Sequence, residues 1–123
     1  MIYGCGIDIE EVERFNKHYF DKGKLSDLIY DIFTTKEIEN YSYFGKEAFL
    51  KGFCFKEAFY KALSSSEVDY KDVEIIFSDN KSFEIIKSDL VKNIFSELNI
   101  NKIIASLQSN DKYAVFKVVL INK

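Results

Sequence analysis

Residues 53–63 read FCFKEAFYKAL and lie within a longer stretch, 46–64, that is apolar around most of its circumference when drawn as a helix. The stretch has one apolar and one polar stripe, each made of residues at helical spacing. The apolar stripe comprises Phe55, Ala58, Phe59 and Ala62, and the polar stripe comprises Lys56, Glu57, Tyr60, Lys61 and Ser64. We predict that this helix is the centre of the fold and that its polar stripe borders a functional site.

The segments on either side alternate between strand and helix patterns. Thr34 followed by Glu37 is a capping box, which predicts a helix start at residue 35. The predicted strands are 2–9, 73–77, 83–86, 102–108 and 113–121, and the predicted helices are 10–20, 25–32, 35–43, 46–64 and 89–98. This order predicts an α+β fold, in which an antiparallel sheet packs against the long buried helix within a single domain, 1–123.

Composition narrows the class of protein. The net charge is −3, and Arg14 is the only arginine, which argues against a nucleic-acid-binding protein. No segment has the length and apolarity of a membrane span or the pattern of a secretory signal, so we expect a cytoplasmic protein that does not bind membranes. Cys5 and Cys54 lie in apolar segments without metal-ligand spacing, which predicts two reduced thiols in the core.

The first strand carries a candidate functional carboxylate. Strand alternation places Gly4, Gly6 and Asp8 on one face. Glycines inside a strand indicate that another backbone or a ligand comes close, and Asp8 lies at the end of that bare face. Asp8 either contributes to a site or caps the helix that follows, with the glycines relieving contact between helix and sheet.

On the long helix, Glu57 and Lys61 are one turn apart and lie side by side. They are either a surface ion pair or part of a site. Mg²⁺ usually takes one or two carboxylates and shares its remaining positions with water and substrate phosphates. Asp8 and Glu57 as metal ligands, with Lys61 on the same phosphates, would suit a phosphoryl-type transfer.

Three ordered motifs resemble the holo-acyl-carrier-protein synthase branch of the 4'-phosphopantetheinyl transferases. That branch reads G-x-G-[IL]-D-[IL], then F-T-x-x-E-[IL]-x-x-Y, then F-x-x-K-E-A-x-x-K-A. The chain matches these patterns at residues 4–9, 33–41 and 53–62. Order, spacing and length agree over nearly the whole chain, which favours this family over an unrelated α+β binding domain.

The resemblance implies that the serine hydroxyl of an apo acyl carrier protein attacks the β-phosphorus of coenzyme A and that adenosine 3',5'-bisphosphate leaves. It further implies that Asp8 and Glu57 hold Mg²⁺, that Lys61 assists the leaving group, and that Glu57 or a metal-bound water takes the serine proton. A homotrimer with sites between subunits is implied as well. The predicted contacts with coenzyme A come from Lys56, Lys61, Ser64, Ser65 and Ser106.

The first helix is predicted to dock the acidic carrier protein. Arg14 matches a family position with this role, and Lys17, Lys22 and Lys24 lie nearby. The alternative is that Arg14 is an ordinary solvated arginine.

Two positions depart from the family pattern. Gly52 stands where the family usually has an arginine, and Ser109 stands at the histidine of its final S-x-[ST]-H motif. The family's glycine-rich loop after the long helix is replaced by Ser64-Ser65-Ser66, whose hydroxyls could still contact a phosphate. These departures leave a second hypothesis open, a non-catalytic homologue that binds coenzyme A or a carrier protein.

Overall fold

The computed structural model describes residues 1–21 and 24–122. Its elements follow one another as β1 (Ile2–Glu11), α1 (Val12–Tyr19), β2 (Phe20–Asp21), β3 (Lys24–Leu25), α2 (Asp27–Ile32), α3 (Thr35–Phe44), α4 (Lys46–Leu63), a 3-10 turn (Tyr70–Asp72), β4 (Val73–Phe77), β5 (Phe83–Lys87), α5 (Asp89–Glu97), β6 (Ile100–Ser109) and β7 (Tyr113–Asn122). Within the described ranges, no helix is both long and apolar enough to span a membrane.

The main sheet has three antiparallel strands in the order β1-β7-β6, and α4 packs on one of its faces. The central strand β7 places Phe116, Val118 and Leu120 in the core on that face. Strands β4 and β5 form a separate hairpin, and β2 and β3 form a two-residue ladder. The predicted α+β architecture around a long buried helix is confirmed, although the strands are divided among three sheets.

The two glycines of β1 allow the strand and α4 to touch through their backbones. A Cβ atom added at Gly4 would lie 2.2 Å from the carbonyl oxygen of Ala62, and one added at Gly6 would lie 2.1 Å from that of Ala58. These distances are far below van der Waals contact. The group that approaches the bare face of β1 is therefore the backbone of α4.

The opposite face of the main sheet is open. Ile7, Ile9 and Ile104 are 52%, 60% and 44% exposed. Cys5 is exposed as well, whereas Cys54 is buried. The prediction that both thiols lie in the core is wrong for Cys5, because strand alternation turns this residue away from α4.

The boundary between β1 and α1 differs from the prediction. The strand continues through Glu10 and Glu11, which pair with Ala114 and Tyr113 of β7. Cross-strand pairing overrides the helix-like sequence at these two positions, so the helix begins at Val12. Glu11 occupies the cap position of α1 without a side-chain hydrogen bond, so Asp8 does not cap this helix.

A buried ion pair joins α3, α4 and the β4 region. Lys56 Nζ lies 2.9 Å from Glu37 Oε1, and both side chains are almost fully inaccessible to solvent. Glu37 also accepts hydrogen bonds from the Thr34 backbone, which completes the predicted capping box, and from the Tyr41 hydroxyl and the Ile75 backbone. The carboxylate is therefore saturated with donors, which is the condition for burying a charge.

Lys56 uses all three of its N–H groups inside the protein. Besides Glu37, Nζ donates to the carbonyl oxygens of Tyr70 and Val73, each at 2.6 Å. Burial lowers the pKa of Lys56, and the charge of Glu37 opposes that shift.

Gly52 faces the same cluster. A Cβ atom there would lie 2.7 Å from the ring and hydroxyl of Tyr41. The family usually has an arginine at this position. In this chain, the ring of Tyr41 takes the space that a side chain at residue 52 would need.

We expect Lys56→Met to lower the free energy of unfolding by about 3–5 kcal/mol, because Glu37 would keep its buried charge without a cation. Urea denaturation measures the change. The control is Lys92→Met on the exposed side of α5, where a change within about 0.5 kcal/mol is expected. Equal effects of the two substitutions would contradict the structural role of the ion pair.

Candidate active site

Asp8 is held at the contact between β1 and α4. Its side chain is mostly buried, and Oδ1 accepts a hydrogen bond from Lys61 Nζ at 3.1 Å. Lys61 Nζ also donates to the carbonyl oxygen of Ile7 at 3.0 Å. The second oxygen, Oδ2, is buried and has no hydrogen-bond partner among the described residues. A buried carboxylate oxygen without a donor is costly unless a ligand satisfies it.

Glu57 lies one turn before Lys61 on α4, but the two do not form the surface ion pair that their spacing left open as an alternative. Instead, Glu57 Oε1 accepts a hydrogen bond of 2.6 Å from the hydroxyl of Tyr70. Lys61 pairs with Asp8. Burial and the hydrogen bond to Glu57 raise the pKa of Tyr70, so the phenol keeps its proton and acts as the donor.

A third carboxylate, Glu10, lies close to the other two. Its pKa is raised to about 8, first by burial and then by the neighbouring Asp8 carboxylate, which disfavours the ionised form of Glu10. Glu57 adds to this repulsion, and Lys61 opposes it. Negative charge is therefore concentrated here beyond what one lysine neutralises.

Asp8, Glu10 and Glu57 line a common cavity of about 670 Å³, together with Arg14 and Lys17 of α1. The cavity thus combines a cluster of carboxylates with two cations. This arrangement suits a ligand that brings a metal ion and also carries negative charge of its own.

The donor chemistry fits Mg²⁺. Carboxylate oxygens are hard ligands, and the buried Oδ2 of Asp8 has no donor among the described residues, a deficit that a cation would satisfy. In the part of the chain that the structure describes, no cluster of three or more His, Cys, Asp or Glu residues is arranged to hold a metal ion by itself. An ion held by Asp8 and Glu57 would therefore depend on substrate oxygens and water for its other positions.

Lys61 lies beside Asp8, and the other predicted coenzyme A contacts lie in three different environments. Lys56 is enclosed by Glu37 and two backbone carbonyls, so it has no N–H group left for a ligand. The prediction missed this because α4 turns Lys56 into the protein, away from the polar stripe.

Ser64 and Ser65 follow the end of α4. The Ser64 hydroxyl donates to the carbonyl oxygen of Lys61, and the Ser65 hydroxyl accepts from the Glu67 backbone. Ser106 pairs with Lys117, which pairs with Ile7 on the open face of the sheet. Ser106 therefore lies on the side of the sheet opposite Asp8 within one chain.

The predicted docking residues Arg14 and Lys17 are exposed on α1 and border the carboxylate cavity. Lys17 forms a highly exposed pair with Glu13 at 3.5 Å, which contributes little to stability and leaves the ammonium group available. Lys24 begins β3, and Lys22 lies outside the described residues.

Sequence reasoning missed Glu10 and Tyr70. Period-two alternation could have placed Glu10 on the same face of β1 as Asp8. Tyr70 gives no such signal. It lies in the 3-10 turn after α4, and its spacing from Glu57 in the sequence does not indicate that the two side chains meet.

The family model described as the 4'-phosphopantetheinyl transferase superfamily matches residues 4–116. The chain belongs to this superfamily, and the predicted enzyme class, a phosphopantetheinyl transferase of the holo-acyl-carrier-protein synthase type, is confirmed. No curated protein matches the chain at significant similarity.

Solved structures share the fold over nearly its full length. The holo-acyl-carrier-protein synthase of Bacillus anthracis, in complex with CoA (3',5'-ADP), is 28% identical with a TM-score of 0.74, covering 100% of this chain and 99% of that one. The Neisseria meningitidis synthase is 24% identical with a TM-score of 0.81, covering 99% and 100%. The Helicobacter pylori synthase, in complex with coenzyme A, is 24% identical with a TM-score of 0.75, covering 95% and 99%.

We expect Glu10→Gln to stabilise the protein in the absence of metal. The folded state holds the Glu10 proton up to about pH 8, whereas an unfolded chain releases it near pH 4.5, so the glutamate costs stability as the pH rises between these values. The gain in melting temperature should therefore be small at pH 4, grow to about pH 8 and then level off. Thermal unfolding in EDTA measures it.

The matched control is Glu11→Gln, because Glu11 is the exposed neighbour on β1. A pH-independent gain for Glu10→Gln, or an equal gain for the control, would contradict the assignment of the raised pKa to Glu10.

Proposed function

We propose that the chain transfers 4'-phosphopantetheine from coenzyme A to a serine hydroxyl of an apo acyl carrier protein, with Mg²⁺ as cofactor and adenosine 3',5'-bisphosphate as the second product. The observation that carries the proposal is the buried Asp8 carboxylate, which has one oxygen bound to Lys61 and the other without a donor, beside Glu57 in one cavity. Family membership supports the reaction class. The whole chain, 1–123, would act as one domain.

Asp8 and Glu57 are the proposed holders of Mg²⁺, which when bound supplies positive charge against the bridging phosphates of coenzyme A. Lys61 is half exposed, and its Nζ is fixed by Asp8 and by the carbonyl oxygen of Ile7. It is therefore ready to contact the pyrophosphate and to stabilise the leaving group. Glu57 is also the proposed acceptor of the serine proton, because an ionised carboxylate has about four lone-pair sites and Tyr70 uses only one of them, on Oε1.

Carrier-protein docking is proposed for Arg14 and Lys17. Both are exposed on α1 at the cavity that contains the carboxylates, so a bound acidic partner would present its serine to the same space. Because the carboxylate cluster alone would repel an acidic partner, these two cations are needed at its border.

A homotrimer with sites between subunits is proposed for the assembly. The open face of the main sheet exposes Ile7 and Ile104, and a second subunit could cover them. Ser106 lies on this open face, so it can reach phosphates only at the site of a neighbouring subunit. The free thiols at Cys5 and Cys54 are consistent with action in the cytoplasm.

We expect Asp8→Ala and Glu57→Ala each to reduce transfer by about 100-fold or more, because each removes a proposed metal ligand. The assay follows the mass gain of an apo carrier protein incubated with the enzyme, Mg²⁺ and coenzyme A. Glu84→Gln is the control, because Glu84 is an exposed carboxylate on β5, and its activity should equal that of the wild type.

Three results would contradict this proposal in different ways. Full activity of both alanine variants would overturn the metal assignment while leaving the family intact. No transfer to any carrier, with coenzyme A still bound, would favour the non-catalytic homologue to which Ser109 and Gly52 point. Loss of activity in the Glu84→Gln control would indicate an indirect effect of charge.

The assembly is tested by Ile104→Lys, which places a charge on the open face of the sheet. Light scattering should show a trimer for the wild type and a smaller species for the variant. Tyr43→Lys is the control, because Tyr43 is 85% exposed on α3. A monomeric wild type would contradict the trimer, and an unchanged mass for Ile104→Lys would exclude this face as the interface.

A further inference from the structure

We propose that Tyr70 is a positioning residue that orients Glu57 for metal binding. The inference rests on the proposed function, because it concerns the same pair of carboxylates, but it adds a residue that none of the three motifs contains. Tyr70 belongs to the 3-10 turn after α4, so the hydroxyl reaches Glu57 from a different element.

The hydrogen bond divides the two oxygens of Glu57 between different tasks. Tyr70 occupies Oε1 at 2.6 Å, whereas Oε2 has no protein donor among the described residues. A carboxylate held through one oxygen has fewer rotamers to lose when the other oxygen binds a cation. Hydrogen bonds of this kind orient metal ligands in many metalloproteins, and their loss typically weakens metal binding by about 10–100-fold.

Tyr70 can orient Glu57 because its own position is fixed. The buried Lys56 ammonium donates to the Tyr70 carbonyl oxygen at 2.6 Å, which ties the turn to the core. The Tyr70 ring packs against Phe53 of α4, with 6.0 Å between the ring centroids.

The turn that carries Tyr70 is closed on itself. Asp69 Oδ1 accepts from the Lys71 backbone at 2.8 Å, and Asp72 Oδ2 accepts from the Asp69 backbone at 2.9 Å. Other contacts therefore fix both the backbone and the ring of Tyr70, so its hydroxyl is already placed for the hydrogen bond to Glu57.

The test is Tyr70→Phe, which removes only the hydroxyl and keeps the ring contact with Phe53. Mn²⁺ binding to the purified protein, measured by electron paramagnetic resonance with and without coenzyme A, should weaken by about 10-fold. In the transfer assay, the Mg²⁺ concentration needed for half-maximal rate should rise by a similar factor, with the rate at saturating Mg²⁺ nearly retained. Tyr43→Phe on the exposed side of α3 is the matched control and should bind Mn²⁺ like the wild type.

A double-mutant cycle with Glu57→Asp separates positioning from a general effect on folding. Aspartate is one methylene shorter, so we expect it to lose the 2.6 Å contact with the phenol, and Tyr70→Phe should then change Mn²⁺ affinity much less in this background than in the wild type. An equal loss in both backgrounds would overturn the role of Tyr70, even if Tyr70→Phe also lowered the melting temperature.

Two further outcomes distinguish this inference from the function on which it rests. Wild-type affinity of Tyr70→Phe for Mn²⁺, in a protein that binds the metal and transfers the group, would overturn the positioning role alone. Absence of Mn²⁺ binding by the wild type, with and without coenzyme A, would overturn the metal assignment and the positioning role with it.

Discussion

The buried pair of Lys56 and Glu37 is the interaction on which the rest of the structure depends. It joins α3 to α4 and, through the carbonyl oxygens of Tyr70 and Val73, holds the turn that leads into β4. A buried charge pair is stable only when its geometry leaves no donor or acceptor unused. These directional contacts link α3, α4 and the turn before β4 at one buried point.

The same helix serves the core and the site through consecutive residues. Lys56 and Glu57 lie about 100° apart around the axis of α4, so one points into the protein while the other faces the cavity. Tyr70 connects them from outside the helix, since its carbonyl oxygen accepts from Lys56 and its hydroxyl donates to Glu57. The 3-10 turn that contains Tyr70 is therefore tied both to the buried ion pair and to the candidate metal ligand Glu57.

The sequence predicts the residues whose neighbours are local. The capping box of Thr34 and Glu37, the shared face of Gly6 and Asp8 and the long helix follow from spacing alone, and all are present. Spacing says which residues share a face but not what that face meets. The pairing of Lys61 with Asp8 and the burial of Lys56 depend on contacts between distant segments, so they emerged only from the structure.

The backbone contact between β1 and α4 bears on how the protein tolerates change over evolutionary time. In most packed pairs, side chains set the spacing between elements, so substitutions accumulated in the core shift that spacing by fractions of an ångström. Here Gly4 and Gly6 let the two backbones meet directly. The phenylalanines around this contact can drift to other apolar residues while the strand that carries Asp8 stays at the same distance from the helix that carries Glu57.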